Sequence, residues 1–145
     1  VTIEGPYGTF YVRDSDSPII MVASGTGFAP VKSMMLDLVA RGNTRPVALY
    51  WGGRCQQDLY MDQLCQQWAE QNRWFSYIPV LSDSVDEGWN GRTGFVHQAV
   101  VDDIADMSAY EVYACGAPIV VSSARRDFVE LCGLDPDRFY SDAFV

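Results

Sequence analysis

Positive charge is scarce in this 145-residue chain. Ten lysines and arginines face 19 aspartates and glutamates, for a net charge of −9 and a pI near 4.3. With so few cations there is no basic stripe to neutralise a phosphate backbone, which excludes nucleic acid as a partner. A small anion can still bind where positive groups are local. Long apolar runs are missing too: no stretch reaches the roughly 18 residues a spanning helix needs, so nothing is expected to cross a membrane. No charged-then-apolar opening segment reads as a signal peptide, and a cytoplasmic location with reduced thiols is expected. Close cysteine pairs are absent. Cys55, Cys65, Cys115 and Cys132 lie far apart with no CxxC among them, which argues against an iron–sulfur or zinc site in this chain. Histidine is reduced to His97, read as structural on a helix face.

What is present suffices for one domain with a proper core: 48% of the residues are hydrophobic and 13% aromatic. The rest is arranged around Pro18 to Pro30, PIIMVASGTGFAP. Ile19 to Ala23 form an unbroken apolar run, as a strand buried on both faces of a parallel sheet requires. The run ends in Ser24-Gly25-Thr26-Gly27, a turn that brings backbone close to a ligand, and Pro30 suits the first turn of a helix. Val31, Met34, Met35, Leu38 and Val39 continue at helical spacing, and Gly42 ends the helix. Strand, glycine turn and helix N-terminus together make a site for an anion such as a pyrophosphate. The alternative is a turn whose glycines serve packing alone.

In chain order, residues 1–13 alternate around a GPYG turn and look like the last piece of a β-structure whose partners lie elsewhere; residues 14–17 form a polar linker. The expected division is therefore 1–17, the end of a β-structure and a linker, and 18–145, the principal domain, with the chain a fragment of something longer. A second strand, Pro46 to Trp51, leads through Gly52-Gly53-Arg54 to a helix with Asp58 as N-cap and Met61, Leu64, Cys65 and Trp68 on one face. A third strand, Phe75 to Ser82, holds Pro79, which predicts a sheet edge. After an Asp/Gly/Asn-rich loop comes a helix carrying Phe95, Val96, Ala99 and Val100. A fourth strand, Glu111 to Cys115, ends in Gly116-Ala117-Pro118, and its helix places Val120, Val121, Ala124, Phe128 and Leu131 at helical spacing before Gly133. Arg138 to Phe144 supplies a fifth strand. This alternation specifies an α/β fold, a doubly wound five-stranded parallel sheet of order 3-2-1-4-5 with helices on both faces. A ligand belongs at the switch point between strands 1 and 4, where Gly25 to Gly27 and Cys115 to Pro118 face each other.

GPYGTF near the start, GTGFAP after strand 1, YWGGR after strand 2, YACGAP after strand 4 and an aromatic within the last two residues together resemble the pyridine-nucleotide domain of the ferredoxin–NADP reductase family. In particular the chain is similar to NADH-dependent reductase components of bacterial oxygenases and to deoxysugar (glucoseen) reductases. The resemblance implies hydride transfer from NADH to an FAD held mainly by a domain outside this sequence. Single electrons would then pass to a [2Fe-2S] ferredoxin domain or protein and on to an oxygenase or dehydratase. It implies that Cys115 sits beside the nicotinamide, against the alternative of a buried strand cysteine. It also implies that Phe144 stacks over the flavin, although Val145 follows it here. Gly25, Thr26, Gly27, Pro30, Gly116, Ala117 and Pro118 would bind the cofactor, with Tyr7, Thr26 and Phe144 as remnants of the flavin site. Arg54, after a double glycine at a strand end, could pair with the pyrophosphate; otherwise it is a solvated arginine. NADP-dependent relatives read Ser-Arg after strand 3. Here Ser82-Asp83 stands in that place, and a carboxylate repels a 2′-phosphate while accepting hydrogen bonds from a free ribose diol, which points to NADH. A reading of another class is a module that binds NAD to regulate a partner without transferring hydride.

Overall fold

The computed structural model describes residues 12–25, 28–82, 89 and 91–143. Its centre is β1 (Ile19–Ser24), whose first five residues are buried. Helix α1 (Phe28–Ala40) follows and buries Phe28, Pro30, Val31, Met34, Met35 and Leu38, while Val39 stays largely exposed. Then come β2 (Val47–Gly53), a 3-10 turn (Gln56–Asp58), α2 (Asp62–Gln71), β3 (Phe75–Leu81), β4 (Arg92–Thr93) and α3 (Val96–Asp103). The chain closes with β5 (Glu111–Gly116), α4 (Pro118–Cys132), a second 3-10 turn (Pro136–Arg138) and β6 (Phe139–Ala143).

The sheet runs β4-β3-β2-β1-β5-β6 with every pair parallel. The five-strand order expected from the sequence is contained in it. Two residues of the polar loop, Arg92 and Thr93, add a sixth strand, so β3 is not the edge that Pro79 suggested. The physical reason is register: β4 pairs only with Val80 and Leu81, beyond Pro79, so the missing proline N–H costs no ladder bond on that side.

Alternation along the buried strands divides the core into two layers. Ile19, Met21, Ala23, Leu49, Trp51, Tyr113 and Cys115 pack with α1 and α2 on one face. Ile20, Val22, Tyr50, Val80, Val112 and Ala114 pack with α3 and α4 on the other. Three sequence-level assignments shift. Asp58 does not cap the helix: it ends the 3-10 turn, and α2 starts at Asp62. Its carboxylate instead accepts the Arg54 N–H at 2.8 Å, a local loop bond that competes with a capping role. Leu131 is 66% exposed and Cys132 takes the core position on α4. Phe95 precedes α3 in extended conformation and does not join its buried face.

Away from the strands' carboxyl ends, a charged cluster ties residues 13–17 to the sheet. Arg45 forms an ion pair with Glu111 at 2.9 Å, with both side chains nearly buried. Arg45 also donates to Ser17 O and Arg13 O, each at 2.8 Å, while Glu111 accepts from Tyr113 Oη at 2.8 Å and from Ser15 Oγ.

Candidate functional site

The carboxyl ends of β1, β2 and β3 and the starts of α3 and α4 enclose a cavity of about 530 Å³, within the range of small-ligand sites. Its floor is glycine-rich backbone. Gly25 follows β1 at φ +53, its N–H donating to Gly52 O at 2.9 Å, and its carbonyl accepts from Trp51 Nε1 at 3.1 Å. The β1 turn is therefore bonded to the β2 turn and to a fully buried indole. On the other side, Ala117 N–H donates to Ser24 Oγ at 3.0 Å. That bond brings the end of β5 against the end of β1, at the point where the winding reverses.

Gly116 makes this approach possible. Its φ is +132, and a Cβ built on it would lie 2.1 Å from Ser24 Oγ and 2.8 Å from Ser24 O. A side chain is excluded both by the backbone conformation and by the neighbouring strand.

Two helices begin at the cavity: α3 through Gly94, Phe95 and Val96, and α4 through Ala117, Pro118 and Val120. Pro118 opens α4 at a position where its missing N–H leaves nothing unsatisfied. Both helix N-termini present partial positive charge to the same space, which offsets locally the acidity of the whole chain. Arg54 and Ser82 also line the cavity. Arg54 is exposed, with its N–H held by Asp58, and Ser82 N–H donates to Gly53 O at 2.9 Å, setting the end of β3 beside that of β2.

Behind this surface lies Cys115, 1% exposed. Burial pushes its thiol well above the usual range, and the charge of Asp142 pushes it further, so it stays a neutral thiol at physiological pH. Asp142 pairs in register with Cys115 across β5 and β6, and its Oδ2 is buried without a hydrogen-bond partner among the described residues.

The structure thus brings Gly25, Arg54, Ser82, Ala117 and Pro118 around one cavity, with Cys115 and Gly116 in the strand next to it. Pro30 is buried in the first turn of α1 and does not line the cavity. Thr26, Gly27, Asp83 and Phe144 lie outside the described residues. Two members escaped the sequence reading. Phe95, 70% exposed at the cavity wall, was grouped with the core because it begins an apolar stretch; the glycine before it was the available signal. Asp142 had none, since strand register alone sets it beside Cys115.

The profile described as the oxidoreductase NAD-binding domain matches residues 21–126. The CDP-6-deoxy-L-threo-D-glycero-4-hexulose-3-dehydrase reductase of Yersinia pestis is 48% identical over 143 residues, covering 99% of this chain and 43% of its own length. The phenol 2-monooxygenase reductase component DmpP of a Pseudomonas species is 38% identical over 127 residues, covering 86% of this chain and 36% of its own. Among solved structures, the Amycolatopsis cytochrome P450 reductase GcoB superposes with a TM-score of 0.82 at 30% identity, over 97% of this chain and 40% of that one. The chain spans less than half the length of these relatives. It belongs to the oxidoreductase NAD-binding domain family, the pyridine-nucleotide half of ferredoxin–NADP reductase-like proteins.

Proposed function

We propose that this domain presents NADH to a flavin held mainly by an adjoining FAD-binding domain, within a reductase that feeds electrons to an iron–sulfur protein and then to an oxygenase or dehydratase. The observation that carries the reading is the junction of β1 and β5. Gly25, two helix N-termini and Arg54 would offer an anion site there, next to a neutral buried thiol and a carboxylate oxygen unmatched among the described residues. The pyrophosphate would rest on the Gly25 to Gly27 turn, with backbone N–H groups and Arg54 as donors. The nicotinamide end would lie by Thr26, Cys115 and Gly116. Asp142 would accept the hydrogen bond that a carboxamide donates. NADH supplies the hydride and the flavin accepts it. Cys115 offers a compact, polarizable, uncharged wall against the ring and moves no proton itself. Phe95, the exposed aromatic on the cavity, would stack with the purine. Ser82 and Asp83 would receive the adenosine ribose, and Phe144 would cover the flavin. Residues 1–17 would be the end of the flavin-binding barrel and its linker. The names of the relatives, reductases of a dehydrase and of a monooxygenase, support this class of partner.

The test joins the chain to its FAD-binding domain and follows flavin bleaching by NADH in a single anaerobic turnover. Rapid bleaching is expected, slowed at least tenfold by Cys115→Ala with little change in NADH affinity, because the contact counts where hydride moves. NADH binding without any bleaching would instead identify a sensing module.

A further inference from the structure

Phe95 combines two properties that rarely coincide: its ring is largely in solvent, yet its position is fixed from two directions. On the backbone side, Gly94 N–H donates to Leu81 O at 3.0 Å, and Arg92, two residues before it, grips the far end of α3. Arg92 Nη1 lies 2.8 and 2.7 Å from the two carboxylate oxygens of Asp103, and the same carboxylate accepts from Tyr50 Oη at 2.8 Å. The two-residue strand before Phe95 is thereby bound to β2 and to the helix that Phe95 introduces. On the ring side, His97 stacks on Phe95 with ring centroids 6.3 Å apart and planes 24° from parallel. His97 Nε2 lies 3.2 Å from Asp127 Oδ2 on α4, and Arg126 Nε holds the other oxygen of Asp127 at 3.0 Å. The side chains of His97 and Asp127 are only 15% and 17% exposed, so the brace is set into the α3–α4 contact.

We infer that His97, held by Asp127, and Arg92, held by Asp103, are positioning residues that keep the Phe95 ring standing at the cavity as a preformed stacking surface for the purine of a bound dinucleotide. The inference rests on the dinucleotide reading above. An unsupported aromatic at a loop end would lose its freedom on each binding event, and a braced one has lost it beforehand, so the braces act on affinity for the purine half alone. Among the described residues, neither brace touches Gly25, at the turn where the phosphates would rest.

The experiment measures the affinity of the 145-residue chain for ADP-ribose and for inorganic pyrophosphate, with thermal unfolding recorded for every variant. His97→Ala and Arg92→Ala are each expected to weaken ADP-ribose about 3- to 10-fold and to leave pyrophosphate unchanged. His97→Gln, whose amide can still donate to Asp127, should recover part of the loss. In a Phe95→Ala background, His97→Ala should have no further effect, because it acts through that ring. Equal weakening of both ligands, or a His97→Ala effect that persists without Phe95, would overturn the braces and leave the dinucleotide site standing. Should Phe95→Ala itself leave ADP-ribose binding intact, the stacking surface and its braces fall together. Wild-type protein that ignores ADP-ribose would overturn the dinucleotide reading, and the braces with it. If Arg92→Ala or His97→Ala fails to fold, Arg92→Lys and His97→Leu, which lacks a donor to Asp127, carry the same comparison.

Discussion

At the scale of single residues, the site depends on contacts that leave no room for substitution. Gly116 meets Ser24 so closely that an added methyl must push β1 and β5 apart at their carboxyl ends. Gly116→Ala is expected to cost about 2 to 4 kcal/mol, from a disfavoured positive φ plus the clash. Denaturant unfolding checks the loss, and binding of pyrophosphate should weaken in the variant that still folds. Cofactor choice belongs to the same scale. Ser82 lines the cavity, and Asp83 follows it where NADP-dependent relatives carry arginine. A 2′-phosphate near that carboxylate would be repelled by one to a few kcal/mol, enough for roughly tenfold preference for NADH. Asp83→Arg should raise the ratio of kcat/KM for NADPH over NADH in the enzyme with its flavin domain, and raise it less at higher salt, where screening weakens both terms. A ratio that stays put would place selectivity elsewhere in the loop before Gly94.

At the scale of elements, the parts legible in the sequence were those where a single physical signal dominates. Five apolar residues in a row made β1 readable, as Gly-Ala-Pro after a strand made the start of α4 readable. Local signals failed where tertiary contacts decide. Arg92 and Thr93 carry no strand signature; they pair because Val80 and Leu81 offer free backbone groups beyond Pro79. Asp58 looked like a helix cap and serves the Arg54 loop instead. The Arg45–Glu111 cluster was equally silent, since the partners stand 66 residues apart. It has a measurable consequence. Burial alone would raise the Glu111 carboxyl, but hydrogen bonds from Ser15, Arg45 and Tyr113 outweigh it and hold the group below its ordinary value of 4.5. A carboxylate depressed on folding contributes stability that is present above its unfolded pKa and is lost as pH falls through the folded one. The wild-type chain should therefore lose stability as acid is added below about pH 4.5, and Glu111→Gln should flatten that part of the profile. At neutral pH the same substitution should cost about 3 kcal/mol or more, because Arg45 is left buried without its counter-charge. Chemical unfolding of both proteins between pH 3 and 7 distinguishes the two effects.

At the scale of the whole molecule, the two ends of the sheet have separate tasks. The carboxyl ends of the strands open onto the cavity, and the opposite end fastens residues 13–17, the stretch leading back toward the expected flavin-binding barrel. On the function proposed above, such a domain is expected to bind a dinucleotide by itself, because the glycine turns, both helix N-termini and Arg54 belong to it. It is not expected to complete the redox reaction by itself, because only Tyr7, Thr26 and Phe144 are expected to reach a flavin. The purified chain should accordingly bind NADH, carry no stoichiometric flavin absorbance, and oxidise NADH negligibly. Adding free FAD should change little, since three remnants of a site cannot offset the entropy of fixing so large a ligand. Flavin that co-purifies at one per chain would show that the domain holds its own redox partner, and the division of labour between the two halves would have to be redrawn.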